Sequence, residues 1–340
     1  MWSNMVSTVC ALIAWSGNRP TIAPSMAERV VVTGGAGFIG THSVDALMDD
    51  GAAVLVIDDM SHASTRALHA SCDVVVADVE GEDARDAIGR FDPTAILHLA
   101  AQGGVNRSWR EPTVDVRINV LGTVNVLQAA RDAGCRVVLA SSGGAVYGAT
   151  DVLPAVEDTP PAPRSPYGVA KLSMETYLGM FARTGGPEGI ALRYGNVYGP
   201  GQDGTGEAGV VAITCTRVLS RRPPRLRGDG AQTRDFVYVT DVAAANLFAL
   251  RSAISGVMNI GTGVETSVRE VIERICAIAE YHGDTEMVPL PPGEVRRSRL
   301  AVDLARTELA WQPRVALDDG LARTYAYFSD ATGAQPSGQL

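Results

Sequence analysis

VVVTGGAGFIG, residues Val30–Gly40, reads as a β-strand that runs through a glycine turn directly into a helix. Arg29–Thr33 is a short β-branched run, and Phe38, Ile39, Val44, Leu47 and Met48 recur at helical spacing. The glycines sit at the junction. Gly34 permits the tight turn, and Gly37 lets backbone N–H groups approach a pyrophosphate. Gly40 lets the helix pack close to its strand, so an anion rests at the helix N-terminus beside Phe38 and Ile39. A side chain at Gly37 is expected to block that approach.

Outward from this turn, Ala53–Ile57 forms a second strand ending in Asp58 and Asp59, with Asp58 18 residues after Gly40. An acid there is placed to accept hydrogen bonds from both hydroxyls of an adenosine ribose. It also repels a 2′-phosphate, which favours NAD over NADP. Further strands are expected at Asp73–Ala77, ending in Asp78-Val79, at Ala95–Leu99, running into Ala100-Ala101, and at Arg136–Ala140. Continuous apolar strands alternating with helices predict an α/β fold: a Rossmann-type, doubly wound parallel sheet with ligands at the strands' C-terminal ends. One long helix is expected over Pro112–Ala133, with Asn119 inside it.

The fifth strand delivers Ser141 and Ser142 to that same sheet edge. A proline-rich loop follows, then Ser165-Pro166-Tyr167-Gly168-Val169-Ala170-Lys171, in which Pro166 starts a helix. Tyr167 and Lys171, at i and i+4, share one helix face. The Lys171 ammonium beside the phenol should lower the tyrosine pKa and make it a base usable near neutral pH.

The 340 residues are 46% hydrophobic and 20% charged, enough for a full core and more plausibly two lobes than one. A net charge of -9 argues against nucleic acid or an anionic membrane as the main partner. Five scattered cysteines form neither a CxxC nor a His-Cys cluster, so no metal site is expected and a reducing, cytoplasmic compartment suits them. Residues 1–28 stand apart from the fold pattern. Their apolar run Val6–Trp15 is too short to span a membrane and lacks a basic leader, so a disordered or non-native extension is expected, with Met26 as a natural start. A flexible tail is expected over residues 331–340.

Together these residues resemble the extended short-chain dehydrogenase/reductases, and among them the nucleotide-sugar 4-epimerases of the UDP-glucose 4-epimerase type. The likeness runs from about Arg29 to Phe328. It is carried by TGGAGFIG, Asp58, Asp78-Val79, HLAAQ at 98–102, NVLGT at 119–123, SSGGAVYG at 141–148 and YGVAK at 167–171. Downstream it continues through LRYGNVYGPGQ at 192–202, GEAGVVAI at 206–213, GDGAQTRDFVYVTDVA at 228–243, NIGTG at 259–263 and PGEVRRS at 292–298.

The resemblance implies a retained NAD that is reduced and reoxidised within one turnover. Tyr167 takes the proton of the sugar 4-hydroxyl as hydride leaves C4, the 4-keto sugar turns over, and hydride and proton return to its other face. Lys171 would bind the nicotinamide ribose and Ser142 would hold O4. The family's hydroxyl often stands one residue later, at Gly143 here, so Ser142 is the assignment and Ser141 its reserve. Gly34, Gly37, Phe38, Ile39, Gly40, Asp58, Asp59, Asp78, Val79, Leu99, Ala100, Ala101, Asn119, Ser141, Tyr167, Lys171 and Tyr194 map to cofactor-binding positions. Asn196, Arg234, Glu294 and Ser298, with Ser142 and Tyr167, map to the UDP-sugar.

Departures from the family pattern sort its chemistries. Dehydratases and decarboxylases place an acid after the catalytic hydroxyl residue, where this chain has Gly143-Gly144-Ala145. Uronate epimerases tend to carry Thr at the Asn196 position and Arg near 201, where Gly201 stands. A neutral hexose therefore fits best, and Ser298, at a position that gates sugar size, leaves room for a 2-acetamido group. Pro292 replaces a common phosphate-binding Arg, for which Arg296 or Arg297 could compensate. The expected layout is an NAD-binding part over 29–195, to which the chain returns at 236–262, and a sugar-binding lobe from 196–235 and 263–330. Family helices near 113–133 and 166–183 imply a homodimer. Rival readings are a UDP-glucuronate 4-epimerase, a nucleotide-sugar 4-ketoreductase, and a non-catalytic NAD-binding sensor or scaffold.

Overall fold

A computed structural model describes residues 28–205, 209–290 and 294–332. The expectations for residues 1–27, Gly206–Ala208, Pro292 and the chain end from 333 lie outside these. Thirteen strands occur among the described residues. They are β1 Arg29–Thr33, β2 Ala53–Asp58, β3 Asp73–Val76, β4 Ala95–His98, β5 Arg136–Ser142, β6 Gly189–Tyr194 and β7 Asn196–Tyr198. Then come β8 Arg225–Arg227, β9 Thr233–Arg234, β10 Phe236–Tyr238, β11 Gly256–Ile260, β12 Thr266–Ser267 and β13 Glu286–Val288. The first helices are α1 Phe38–Asp49, α2 Glu82–Phe91, α3 Val105–Arg110, α4 Pro112–Asp115, α5 Gly122–Ala133, α6 Gly143–Val146 and α7 Pro166–Arg183. They are followed by α8 Val210–Leu219, α9 Val239–Arg251, α10 Val268–Ile278, α11 Asp303–Glu308 and α12 Leu317–Thr332.

Seven strands make one parallel sheet in the order β3-β2-β1-β4-β5-β6-β11. Its strands are apolar on both sides because both faces are covered. Val30 and Val32 point toward α1 and α9, with Val44, Val242 and Ala249 in that core. Val31 points the other way, into a second core with Ile88 of α2, Leu127 of α5 and Met174 and Leu178 of α7. The period-2 alternation of a strand thus feeds two cores from one run of valines.

A third core gathers Tyr198, Val211, Cys215, Phe236, Val271, Ile275 and Leu321, around α8, α10 and α12. Three short strand pairs, β10-β7, β12-β9 and β13-β8, stand apart from the main sheet.

The order reverses at β1, whose neighbours are β2 on one side and β4 on the other. That reversal opens a crevice at the C-terminal ends of β1 and β4. The expected long helix is there, but it is not uniform. Between α4 and α5, Val116–Leu121 widens into a π-turn with Asn119 in it, the local distortion that lets a helix aim a residue inward. Helix α12 runs to Thr332, so the first two residues of the expected tail are helical.

Candidate active site

The glycine turn closes the β1 end of the crevice. Gly34 has φ +69, and a Cβ there would lie 2.6 Å from the Ala100 backbone nitrogen; a Cβ on Gly40 would lie 2.2 Å from the Gly34 carbonyl oxygen. Both glycines are demanded by the fold itself. Gly37 is different: its backbone (φ -72, ψ 179) suits any residue, and a Cβ would meet only the Gly34 oxygen, at 3.2 Å. What Gly37 keeps clear is the approach to α1, whose first turn carries neither an acid nor a side-chain cap. That uncapped N-terminus, half-covered by Phe38 and Ile39, is the donor set a pyrophosphate needs.

Asp58 ends β2 beside it, buried, accepting hydrogen bonds from the Ala36 N–H (2.9 Å) and the Met60 N–H (2.8 Å). It thereby ties the glycine turn to the end of β2. Asp59 is exposed and spends a carboxylate oxygen on Ser61. Val79 lies against Gly122, where a Cβ would come within 2.6 Å, while Asp78 is exposed and accepts from the Glu80 N–H. Leu99, Ala100 and Ala101 are half-buried across from Gly34, with the Leu99 N–H donating to the Thr33 oxygen at 3.0 Å. These residues fit a dinucleotide laid across the sheet's switch point.

Helix α7 starts cleanly because Ser165 caps the Gly168 N–H and Pro166 occupies the first turn. It lays Tyr167, Lys171 and Glu175 along one face. Tyr167 is half-buried, with the Ser142 side chain at the end of β5 close enough to lower its pKa. Lys171 is buried, donates to the Ala140 oxygen at 2.8 Å, and stands 5.8 Å from the Tyr167 ring centre.

This pair departs from the expected electrostatics. Burial pushes the Tyr167 phenol up to about 12, against the Ser142 hydrogen bond, which lowers it. Burial draws Lys171 down to about 8, with Asp115 and Glu175 opposing. Desolvation outweighs the attraction that sequence spacing suggested, which favours the neutral phenol.

Ser141 and Ser142, adjacent at the end of β5, meet different residues of α7. Ser142 meets Tyr167. Ser141 is buried and donates to Glu175, which forms a buried ion pair with Arg193 (2.7 Å). The reserve hydroxyl is thereby excluded from the crevice, and Ser141 cannot present its side chain to a ligand there. Gly143, where the family's hydroxyl often stands, is filled from outside: a Cβ would sit 2.7 Å from the Leu300 side chain.

Two other expected cofactor residues are turned inward. Tyr194 is buried with its hydroxyl donating to Asn246 at 2.6 Å, in the layer between α1 and α9. Asn119 is fully buried; its Oδ1 accepts from the Gln102 N–H (2.8 Å) and its Nδ2 donates to the Gln102 oxygen (3.1 Å) and Asp115 Oδ1 (3.2 Å). Its amide holds the loop after β4. His98 beneath is neutral, drawn down to about 3 by burial and then by Lys171, and hydrogen-bonded to Thr33 (2.7 Å) and Thr123 (3.0 Å).

Asn196 faces the same crevice from β7, its Oδ1 3.5 Å from where a Gly144 Cβ would be. Arg234 forms an ion pair with Glu294, joining two residues expected to serve one substrate. Burial lowers the Arg234 pKa, and Glu294 opposes it. Asp235 takes no part in that pair. Its carboxylate accepts from the Thr262 N–H and hydroxyl (both 2.7 Å) and the Gly263 and Leu300 N–H groups, tying the NIGTG loop to the segment that carries Ser298 and Leu300. Ser298 is buried. Arg296 and Arg297, expected to replace a phosphate charge, are exposed and paired with Asp229 and Glu265.

Sequence reasoning missed Asp115, Gln102, Glu175 and Asp235. The i, i+4, i+8 run Tyr167-Lys171-Glu175 and the i, i+4 pair Asp115-Asn119 were visible signals; the partners of Asp235 come from distant loops and were not.

The profile of the NAD dependent epimerase/dehydratase family matches residues 30–261. The chain belongs to this family. UDP-glucose 4-epimerase of Mycolicibacterium smegmatis is 43% identical over 307 residues, 88% of this chain and 98% of that protein. Among this family's solved structures, Thermotoga maritima UDP-glucose 4-epimerase with UDP-glucose superimposes with TM-score 0.87 at 40% identity, covering 89% of this chain and 99% of that one. The Thermus thermophilus UDP-glucose 4-epimerase complex with NAD gives TM-score 0.84 at 39% identity, covering 89% and 99%. The family's shared fold is the one described above: a parallel seven-stranded sheet with its crevice at β1 and β4.

Proposed function

We propose that the protein is a UDP-hexose 4-epimerase that interconverts UDP-glucose and UDP-galactose with a retained NAD. The observation that carries this reading is the Ser142–Tyr167–Lys171 set at the C-terminal edge of the sheet, beside a glycine turn whose Gly37 is kept clear. Relatives of that activity at 40–43% identity over most of the chain support it.

The Gly34–Gly40 turn and the α1 N-terminus hold the pyrophosphate, Asp58 the adenosine ribose and Lys171 the nicotinamide ribose. NAD bound there supplies a reversible acceptor for the C4 hydride and, when oxidised, a positive charge near Tyr167. Tyr167 takes the 4-hydroxyl proton and returns it once the sugar has turned. Ser142 hydrogen-bonds that oxygen throughout. Asn196 positions the sugar and diphosphate. Arg234 exchanges Glu294 for phosphate, and Glu294 is then free for the uridine ribose. The small Ser298 leaves room for a 2-acetamido group, so N-acetylhexosamines are admitted.

In this reading residues 29–195 and 236–262 bind the cofactor and the remainder to residue 330 binds the nucleotide sugar. Exposed apolar side chains on α3, the π-turn and α7 (Trp109 54%, Leu121 55%, Val169 52%) pack against a second copy. Among the described residues no helix is long and apolar enough to cross a membrane. The described cysteines are free thiols, which fits a cytoplasmic enzyme.

Tyr167→Phe tests the assignment. It should bind NAD normally and lose at least 10²–10⁴-fold in epimerisation rate, on the scale of a lost general base. A non-catalytic NAD-binding sensor would keep its function.

A further inference from the structure

Asp235 sits where the segments of the proposed sugar site meet, and its side chain is fully buried. Oδ1 accepts from the Thr262 N–H and hydroxyl, both at 2.7 Å, and Oδ2 from the Gly263 N–H at 3.0 Å and the Leu300 N–H at 3.2 Å. The backbone oxygen of Asp235 accepts from the Asn196 N–H at 2.6 Å. Gly261 closes in from another side: a Cβ there would lie 2.8 Å from Oδ2. Buried acceptors filled in this way rigidify the segments that supply the donors.

The bond to Leu300 reaches the crevice. The buried Leu300 side chain lies against Gly143, where a Cβ would be 2.7 Å from it, and Gly143 follows Ser142 directly. On its other side the strip is held by Ala155, whose N–H donates to the Arg299 oxygen (2.9 Å) and whose oxygen accepts from the Ala301 N–H (2.8 Å). Ser298 stands two residues before Leu300. The nucleotide end of the site has its own supports. Arg234 donates to the Thr233 and Val295 oxygens (2.7 and 2.8 Å) besides its ion pair with Glu294, and the Thr233 N–H donates to the Arg296 oxygen at 3.0 Å.

Resting on the proposed UDP-hexose reading, we propose that Asp235 is a positioning residue for the hexose, which through Leu300 fixes the 298–300 strip against the Ser142 end of β5. Its task is to present two acceptor oxygens, and it acts on the sugar end of the substrate alone. With the strip released, the hexose loses its alignment with Ser142 and Tyr167 while the UDP part keeps its contacts.

Asp235→Ala removes both acceptors. The expected result is a kcat/KM for UDP-glucose lower by about 10–100-fold, the scale on which a displaced positioning group acts. The affinity for UDP alone, measured by calorimetry, and the NAD content of the purified protein should stay at wild-type values. Asp235→Asn keeps one oxygen, which can face the Leu300 N–H with the amide on the Thr262 hydroxyl, and should recover most of the loss. Should Asp235→Ala not fold, Gly261→Ala carries the same test, because its methyl displaces the carboxylate. An unchanged kcat/KM, or no recovery in Asp235→Asn, would overturn the proposal. So would a fall in UDP affinity or NAD content in step with kcat/KM, which would leave Asp235 a structural residue. A wild-type protein that leaves UDP-glucose unconverted removes the reading beneath instead, and does so before any variant is made.

Discussion

A single missing side chain bears on the proposed choice of catalytic hydroxyl. With Gly143 against Leu300, a serine at 143 has no space, and the neighbouring Ser142 is the hydroxyl that meets Tyr167. Gly143→Ser should therefore lose about 1–3 kcal/mol of stability by overpacking. It should also fail to rescue Ser142→Ala; thermal melts and rate measurements on the single and double variants check both points. The choice of Ser142 over Ser141 was open in the sequence. In the fold Ser141 is taken up by Glu175, whereas Ser142 lies beside Tyr167. Likewise the Tyr167–Lys171 spacing was legible, but the sign of the phenol's shift was not: it depends on desolvation, which has no sequence signature.

At the scale of elements, β1, α1, α7 and the β5 edge were readable from periodicity and punctuation, their bounds agreeing within two residues. The π-turn was not, since the pattern of valines continues through it and the widening is set by what Asn119 must reach: the backbone of Gln102. The same layer contains a pH-sensitive element. His98 is held neutral in the fold, at about 3, whereas an unfolded histidine titrates near 6.5. A depressed folded pKa gives stability that is fully present above about 6.5 and is lost as the pH falls toward 3. Denaturant melts between pH 6 and 4 should lose about 1.4 kcal/mol per pH unit from this residue. His98→Gln should remove that slope, leaving the carboxylate contribution at lower pH.

For the whole molecule, the sheet order and the three cores place two strand ends, the NIGTG loop and the 294–300 segment around one crevice, an arrangement that Asp235 fastens. Motif order foretold the sheet; the Arg234–Glu294 pairing and the lost freedom of Arg296 and Arg297 depended on contacts across 32 to 67 residues of chain. The exposed apolar strip on α3, the π-turn and α7 belongs to this scale too. Val169→Glu, a charge placed on its α7 part, should convert the proposed dimer to monomers in sedimentation, with the fold retained.

The proposed enzyme turns over a UDP-hexose with its own NAD. Purified protein should be given UDP-glucose with no added cofactor and UDP-galactose followed by chromatography, with UDP-N-acetylglucosamine run in parallel to judge Ser298. Conversion in both directions, unaided by added NAD, is the predicted result. No conversion of either sugar, even after NAD is supplied, would contradict the account.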